Sequence, residues 1–446
     1  MSMEIRKNLD LQPMSYFQWL VIGICMILNA IDGFDVLVMA FTASAVSAEW
    51  SLTGTQLGAL LSSGLVGMSL GSFLLAPWGD KLGRRPLVLF CLTISGAGMI
   101  LAGLSQSPTQ LGMMRAITGL GIGGILASTN VMASEYASQK WRSLAISLQA
   151  TGYSLGALFG GMIAIYLLRE FGWRSVFFAG GGATLAIVPI VYFFLPESLD
   201  FLLAKQPPNA LRRINQVGKK LGIDYINGLP QLSQAGYLHQ KSSFTALLSP
   251  RYLSTTLFLW TSSFLILFGF YFVMSWTPKL LTSAGLTAEQ GITGGVLLSA
   301  GGIFGTALLG LISSRFKLAY VQAVFLIVTS LLMLIFVKSV SNPALAFFAG
   351  LLLGVTVNGC LAGLIAMAPG LYEAGIRTTG LGFAIGIGRV GGMISPLVAG
   401  HFIDANWQPG SLYSLFAVAF VFAMILTLMA SAKISFNANK ISRASH

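Results

Sequence analysis

The sequence predicts an all-α polytopic membrane protein with twelve transmembrane helices, and three observations support this prediction. Hydrophobic residues make up 55% of the 446 residues, charged residues only 9%, and the mean hydropathy is +0.79, which is too apolar for a soluble domain. Apolar stretches of roughly 20 residues, the length that crosses a bilayer, recur along the chain. These stretches lack the strict alternation of a membrane β-barrel strand, so helices are the remaining way to satisfy the backbone in lipid.

The predicted spans form two groups of six. They cover residues 19–45, 54–76, 87–105, 109–133, 143–168, 174–195, 252–276, 288–312, 319–338, 343–366, 377–401 and 411–432. Between the groups the hydrophobicity falls and basic residues gather. We therefore predict an N-terminal six-helix bundle at 1–196, a cytoplasmic linker at 197–250 and a C-terminal six-helix bundle at 251–446.

The linker contains a candidate surface helix. Asn209 is a residue type that caps helices, and apolar residues follow it at helical spacing on one face, namely Leu211, Ile214, Val217 and Leu221. We expect this helix to rest on the membrane surface or on the bundle. A solvated basic linker is the alternative.

The positive charge is distributed unevenly, and this predicts the topology. A net charge of +12 would suit a nucleic-acid partner, but with the N-terminus inside, 20 of the 26 lysines and arginines fall in cytoplasmic segments. The outer loops hold only Arg169, Arg174, Lys279 and Lys338. The positive-inside rule therefore places both termini in the cytoplasm, and the lipid bilayer rather than nucleic acid is the expected partner.

Two aspartates, Asp32 and Asp35, lie inside the first span. A carboxylate at membrane depth costs a few kcal/mol, so it faces a water-filled path, pairs with a cation or carries a proton. By helical rise, ~1.5 Å per residue, Asp32 and Arg115 of the fourth span occupy a similar depth in a ~30 Å core. We expect an Asp32–Arg115 pair that acts as a proton switch, with Asp35 on the same face. A purely structural ion pair is the alternative.

An internal repeat links the two halves. Arg142 opens the fifth span and Arg377 opens the eleventh, and each is followed by a glycine-rich run. Parallel repeats of this kind are a known transporter plan, with the binding site near the membrane midplane between the halves. Helix packing alone would also explain the glycines.

The loop after the second span reads Asp80-Lys81-Leu82-Gly83-Arg84-Arg85, and it resembles the signature loop of the major facilitator superfamily. The fourth span and the Pro196-Glu197-Ser198 end of the sixth are similar to that family as well. The resemblance implies that Asp80 meets the helix starting near Arg377, and that Arg84 or Arg85 meets Glu135, which together hold a cytoplasmic gate. Gly83 would allow the tight turn. A basic loop that serves only topology is the alternative.

The matching loop of the second half departs from this pattern. Residues 310–317 lack both the acid and the Gly-Arg-Arg sequence. We therefore expect a second gate that is weaker or differently built.

Within the superfamily, Asp32-Gly33-Phe34-Asp35 resembles the aromatic acid:proton symporters. That resemblance implies that Asp32 and Asp35 are required for transport, that Arg115 and Glu135 belong to the functional set, and that Arg389 contacts the substrate. The fifth span lacks the proline-bearing glycine motif of the antiporters in the superfamily, which favours uptake.

Further candidates for substrate contact are polar or aromatic groups at membrane depth. Arg389 has no nearby acid in its own helix and would suit a carboxylate ligand, although an acid from another helix is the alternative. Aromatic residues of the seventh span recur at helical spacing, and packing or lipid contact is the alternative role for them. The other candidates are Phe264, Tyr271, Gln149, Tyr153 and Asn358.

An enzyme is not predicted. The three histidines are His239 in the linker, His401 at a helix end and His446 at the chain end, and the three cysteines show no metal-ligand spacing. We expect no metal and no cofactor. The predicted function is proton-coupled import of a small aromatic carboxylate by a monomer in the bacterial inner membrane, and a non-aromatic acid such as muconate or a sugar acid is the alternative substrate.

Overall fold

The computed structural model describes residues 10, 13–222, 225, 228–229, 244–373 and 376–444, and within them it contains helices and turns without strands. Twelve of the described helices are long and apolar enough to cross a membrane. They are α1 (Tyr16–Trp50), α2 (Gly54–Leu74), α3 (Arg84–Gly103), α4 (Pro108–Tyr136), α5 (Arg142–Phe171), α6 (Trp173–Phe194), α7 (Leu253–Ser283), α8 (Ala288–Ser313), α9 (Leu318–Ser339), α10 (Pro343–Met367), α11 (Arg377–Asp404) and α12 (Pro409–Ala444). Each predicted span coincides with one of them, so the predicted fold class is confirmed.

In the first six helices, small residues allow close helix pairs. α1 packs along α5, where a Cβ on Gly156 would overlap the backbone of Ala30. α2 packs along α4 in the same manner, with Gly71 against the backbone of Leu120. α3 contacts both α4 and α6. Such close approaches favour helix association in lipid, where there is no hydrophobic driving force between helices.

The last six helices repeat this pairing. α7 packs on α11, with Gly391 against the backbone of Phe264, and α8 packs on α10, with Gly305 against the backbone of Val355. α9 contacts both α10 and α12. Every one of these pairs corresponds to a pair in the first half with an offset of six helices. The pairing supports the internal repeat that the arginines and glycines of the fifth and eleventh spans predict.

The chain forms two compact units, Met1–Val38 with Ser63–Gly236 and Met39–Ser62 with Tyr237–His446. Parts of α1 and α2 thus belong to the second unit. The contacts of the α2 N-terminus explain this, because Asp404 at the end of α11 accepts hydrogen bonds from the backbone N–H groups of Gly54 at 2.5 Å and Thr55 at 2.8 Å. The predicted division at residues 196 and 251 stays a prediction.

The predicted surface helix forms over Ala210–Leu221 and packs on a short helix, Leu199–Lys205. Asn209 is the N-cap residue of this helix, as predicted, and its carbonyl accepts from the N–H of Arg213 at 3.0 Å. It has a left-handed backbone, φ 64°, and its side chain makes no capping bond, so the predicted side-chain cap is wrong. Leu211 and Val217 are only half-buried. The buried face consists of Ala210, Ile214, Gly218 and Leu221.

A tight turn joins the short helix Ala76–Leu82 to α3. Gly83 lies between them with φ 105°, a backbone conformation that is strained for residues with a Cβ. The turn predicted at Gly83 is therefore present, and it sets the direction in which α3 begins.

Candidate functional site

Arg115 and Asp35 form a buried ion pair between α4 and α1. Nη1 of Arg115 donates to Oδ1 of Asp35, and Nη2 donates to the backbone carbonyl oxygen of Asp35 at 2.7 Å. The two side chains are only 2% and 3% exposed, and a buried pair is costly to break from one side. Arg115 thus pairs with Asp35 rather than with Asp32, and the predicted Asp32–Arg115 pair is wrong by one helical turn.

Gly64 of α2 provides the space for this guanidinium. A Cβ on Gly64 would lie 2.8 Å from Nη2 of Arg115, a distance that real Cβ atoms essentially never show. The pair is therefore assembled by three helices. Nothing in the sequence distinguishes Gly64 from the other glycines of its span, so its role is not predictable from the sequence alone.

Asp32 lies where α1 crosses α5. It is 4% exposed, and the adjacent Gly33 touches α5 so closely that a Cβ would overlap the carbonyl of Tyr153. Nearly one turn before Asp32, Nδ2 of Asn29 donates to the backbone carbonyl of Gln149 at 2.7 Å. The structure therefore brings the predicted Gln149 and Tyr153 onto the helix face that contacts the aspartate-bearing segment.

Gln149 also carries an unused donor. The residue is 2% exposed, and its side-chain Nε2 makes no hydrogen bond to any described residue. A buried amide without a partner is unfavourable by about 1–3 kcal/mol. Such a group is a candidate to bind a polar substituent of a ligand.

Arg84 organises the charges at the start of α3. Its Nη1 donates to Oε1 of Glu135 at 2.8 Å and its Nη2 to Oδ1 of Asp80 at 3.4 Å. The other carboxylate oxygen of Glu135 accepts from Oγ of Ser198 at 2.7 Å. The side chain of Glu135 is 4% exposed and that of Asp80 is 75% exposed, so only the Glu135 pair is shielded from solvent. Of the two arginines that the resemblance offers, Arg84 is the partner of Glu135.

Glu197 caps α3 from the end of α6. Its Oε1 accepts from the backbone N–H groups of Arg84 at 2.7 Å and Arg85 at 3.1 Å, a favourable position for a carboxylate at a helix N-terminus. A Cβ on Gly83 would lie 2.5 Å from Oε2 of Glu197. The family resemblance includes Glu197 but implies no role for it in the site.

The remaining residues of the predicted gate take separate positions. Arg85 donates to the backbone carbonyl of Tyr192 and lies over its ring, 5.4 Å from the centroid. Arg142 starts α5, and its buried Nε has no hydrogen-bond partner among the described residues. Arg377 starts α11 and is exposed. The gating roles of these residues stay predictions.

In the second unit, α11 carries Arg389 within its span. The side chain is half-buried, and it forms no ion pair with any described residue. The nearby Gly388 and Gly391 hold α11 against Ser263 and Phe264 of α7. An intramembrane guanidinium without a protein anion is suited to a ligand carboxylate, which it can bind through two parallel hydrogen bonds.

The aromatic stripe of α7 is engaged in packing. The rings of Phe264 and Phe268 are stacked with centroids 5.9 Å apart, and Phe268 stacks on Phe416 of α12 at 4.6 Å. The Tyr271 ring lies against Gly392 of α11. Phe264 and Tyr271 are half-buried, so each keeps accessible ring surface in addition to these contacts.

Asn358 is the last predicted contact. Its Nδ2 donates to the carbonyl of Gly354 in the same helix at 3.0 Å, and its side chain faces Gly302 of α8. Its carboxamide is thus oriented at the α8–α10 crossing.

The second half has a different polar cluster at the start of α7. Arg251 pairs with Glu373 at 2.6 Å, and the Tyr372 hydroxyl donates to Oγ1 of Thr256 at 3.2 Å. Burial raises the pKa of Tyr372, so its hydroxyl stays a neutral donor. In the loop after α8, Arg315 is exposed and forms no ion pair with the described part of the chain.

The sequence profile of the Major Facilitator Superfamily matches residues 22–361. The chain belongs to the major facilitator superfamily. The resemblance that the loop after the second span suggested is thereby confirmed.

Superfamily members with related sequences include aromatic acid transporters. The chain is 31% identical over 434 residues to a gallate transporter from Pseudomonas putida, covering 96% of this chain and 95% of that protein. It is 29% identical over 438 residues to the 4-hydroxybenzoate transporter PcaK from Acinetobacter baylyi, again covering 96% and 95%. These relatives confirm the predicted resemblance to the aromatic acid family.

Solved superfamily structures share the fold. The xylose transporter XylE from Escherichia coli superposes with a TM-score of 0.73 at 15% identity, covering 93% of this chain and 98% of that one. At this identity the likeness concerns the fold alone. It is consistent with the helix pairing repeated between the two halves.

Proposed function

We propose that this protein is a proton-coupled symporter that imports a small aromatic carboxylate by alternating access. The observation that carries this proposal is the buried pair of Asp35 and Arg115, one turn from the buried Asp32, in a span where charge is otherwise excluded. The gallate and 4-hydroxybenzoate transporters among the relatives support an aromatic acid as the substrate.

A proton is needed because the substrate is an anion. Moving one negative charge inward against an inside-negative potential costs about 2.3 kcal/mol per 100 mV. One accompanying proton cancels this cost, and a second would let the potential drive uptake. The two aspartates of α1 offer a place for either stoichiometry.

Asp35 is the group through which a proton would act on the helices. A protonated carboxyl no longer attracts a guanidinium strongly, so protonation of Asp35 would weaken its bond to Arg115. That bond joins α1 to α4. A change in protonation at Asp35 therefore changes how tightly these two helices are held, which is the coupling that a symporter requires.

The substrate-binding residues are proposed for each unit separately. In the second unit Arg389 binds the carboxylate, with Phe264, Tyr271 and Asn358 as contacts for the ring. In the first unit the unused amide of Gln149 and the neighbouring Tyr153 are contacts for ring hydroxyls. This assignment rests on the burial and the hydrogen bonding described above.

We propose that both termini lie in the cytoplasm, as the bias of lysine and arginine favours. The bacterial relatives support the bacterial inner membrane as the location, and a monomer is proposed as the transporting species. The α3 charge cluster of Asp80, Arg84, Glu135 and Glu197, with Gly83, Arg85, Arg142 and Arg377, is proposed as the cytoplasmic gate.

Uptake of radiolabelled acids tests the proposal. Cells expressing the protein are given gallate, 4-hydroxybenzoate, benzoate, protocatechuate or muconate, with and without a protonophore. Asp32→Asn is compared with Glu170→Gln, which removes an acid that is 47% exposed at the end of α5. We expect aromatic acid uptake that the protonophore and Asp32→Asn abolish and that Glu170→Gln leaves unchanged.

Two results would contradict parts of the proposal. Uptake of an aromatic acid that survives both the protonophore and Asp32→Asn would make the protein a facilitator. Uptake of muconate in preference to every aromatic acid would favour the non-aromatic alternative.

A further inference from the structure

A cavity of about 290 Å³ lies between the Ala210–Leu221 helix and the adjoining ends of α3 and α6. Neither member of the Asp35–Arg115 pair lines it. Its size is near the lower limit of roughly 300–1,000 Å³ for small-molecule pockets. The cavity suits a compact polar group better than a whole drug-sized ligand.

The lining of this cavity is basic. Arg85, Arg213 and Lys220 contribute cations, and Glu197 is the one carboxylate among the lining residues. That carboxylate already accepts hydrogen bonds from the N–H groups at the start of α3. In the described part of the chain Arg213 and Lys220 form no ion pair. Among its described lining residues the cavity therefore carries an excess of positive charge.

The cations of the Ala210–Leu221 helix line the cavity because they are spaced so as to lie on one face of that helix. Arg213, Val217 and Lys220 are at positions i, i+4 and i+7 and share one face, and all three line the cavity. Nζ of Lys220 also lies 4.9 Å from the centroid of the Phe17 ring in α1. This cation–π contact holds the helix face in place.

Arg85 offers a further donor. Its guanidinium is fixed by the carbonyl and the ring of Tyr192, while its buried Nε has no hydrogen-bond partner among the described residues. A fixed guanidinium with a remaining N–H group is suited to phosphate oxygens.

Large apolar side chains flank the cavity. Phe193 and Phe194, the last residues of α6, line it and are 72% and 52% exposed. Exposed aromatic rings at the end of a membrane-spanning helix lie at the level where acyl chains meet headgroups. The cations and the apolar surface are thus adjacent, as the two parts of a phospholipid are.

We propose that this cavity binds the phosphodiester headgroup of an anionic phospholipid, with the acyl chains along Phe193 and Phe194. Basic pockets beside membrane helices recognise anionic headgroups in this way. A free phosphate ion has the same charge chemistry, but it makes no use of the exposed aromatic rings. The lipid couples the surface helix to α3, whose first residues also belong to the α3 charge cluster.

Native mass spectrometry of the full-length purified protein tests this proposal. The protein is titrated with phosphatidylglycerol, phosphatidylcholine and inorganic phosphate. Arg213→Gln/Lys220→Gln removes the two cations of the cavity face. The matched control is Arg212→Gln/Lys219→Gln, which removes the same charge from the same helix at positions outside this cavity.

We expect the wild type and the control to retain phosphatidylglycerol, and Arg213→Gln/Lys220→Gln to bind it roughly 10- to 30-fold more weakly. The charge-preserving Arg213→Lys/Lys220→Arg is expected to restore binding, which separates loss of charge from misfolding. Equal weakening in both Gln variants would indicate general surface attraction and overturn the proposal. Displacement of the lipid by inorganic phosphate, or equal binding of phosphatidylcholine, would overturn it as well.

Discussion

The Arg115 guanidinium donates to both the side-chain carboxylate and the backbone carbonyl of Asp35. The second bond fixes the α1 backbone relative to the guanidinium, so the pair is a joint between two helices as well as a charge contact. Gly64 leaves room for it on a third helix. Any event that weakens the carboxylate bond, protonation included, therefore acts on the packing of α1 against α4.

Removing only Asp35 should destabilise the protein more than removing both Asp35 and Arg115. We expect Asp35→Asn to abolish uptake and to lower the free energy of unfolding by about 3–5 kcal/mol, because Arg115 keeps a buried charge without a counterion. Asp35→Asn/Arg115→Gln should regain most of that stability without regaining uptake. Thermal unfolding of the purified variants and uptake in cells measure the two effects. A double variant no more stable than the single one would show that the unpaired charge is not the cause.

Gly64 should be sensitive to a single methyl group. In Gly64→Ala the new Cβ displaces the Arg115 guanidinium, and off-rotamer geometry costs about 0.5–1.5 kcal/mol, so uptake is expected to fall about 2- to 10-fold. The control is Gly182→Ala in α6, where a Cβ meets nothing within 4 Å. That variant should keep full uptake and gain helix stability. Equal uptake in the two variants would mean that the position of the guanidinium does not matter.

We expect Arg389 to bind the substrate carboxylate through the planar geometry of its guanidinium as well as through its charge. We expect Arg389→Gln to raise the substrate concentration for half-maximal uptake roughly 10- to 100-fold, because a charge-assisted hydrogen bond of about 1.5–3 kcal/mol is lost. Arg389→Lys keeps the charge but loses the planar fork, so it should fall between Gln and the wild type. The control Arg169→Gln, at a position 69% exposed, should change nothing. An unchanged concentration dependence in both Arg389 variants would exclude a substrate contact.

The sequence predicts the twelve spans well because each must be apolar over roughly 20 residues, whatever its neighbours are. The partner of Arg115 is harder to predict. Helical rise gives the depth of Asp32 and Asp35 along a straight axis, but the choice between them depends on helix rotation and tilt, which composition does not encode. Arg115 therefore pairs with Asp35, about one turn further along α1 than the predicted Asp32.

In the α3 charge cluster, too, the sequence does not determine which residues pair. The family resemblance offers Arg84 or Arg85 for Glu135, and the turn at Gly83 decides between them by setting where α3 begins. The role of Glu197 depends on that turn too, since its carboxylate binds the backbone of residues 84 and 85. A contact of this kind leaves no side-chain pattern in the sequence.

Two glycines allow the Glu197 contact to be measured apart from backbone strain. Gly83 and Gly172 both have positive φ, 105° and 77°, with ψ of 151° and 175°, a region that is used almost only by glycine, so alanine at either should cost about 1–3 kcal/mol in backbone strain. A Cβ on Gly172 meets nothing within 4 Å, whereas one on Gly83 would lie 2.5 Å from Oε2 of Glu197.

We therefore expect Gly83→Ala to lower the free energy of unfolding more than Gly172→Ala does, by about a further 0.5–2 kcal/mol, the contribution of a helix N-cap. Thermal unfolding of the two purified variants measures the difference. Glu197→Gln weakens the α3 cap in both proteins. In that background the difference in unfolding free energy between Gly83→Ala and Gly172→Ala should therefore be smaller, because Gly83→Ala then disrupts a cap that is already weak. A difference that is the same in both backgrounds would assign the extra cost to the turn itself and not to the carboxylate that caps α3.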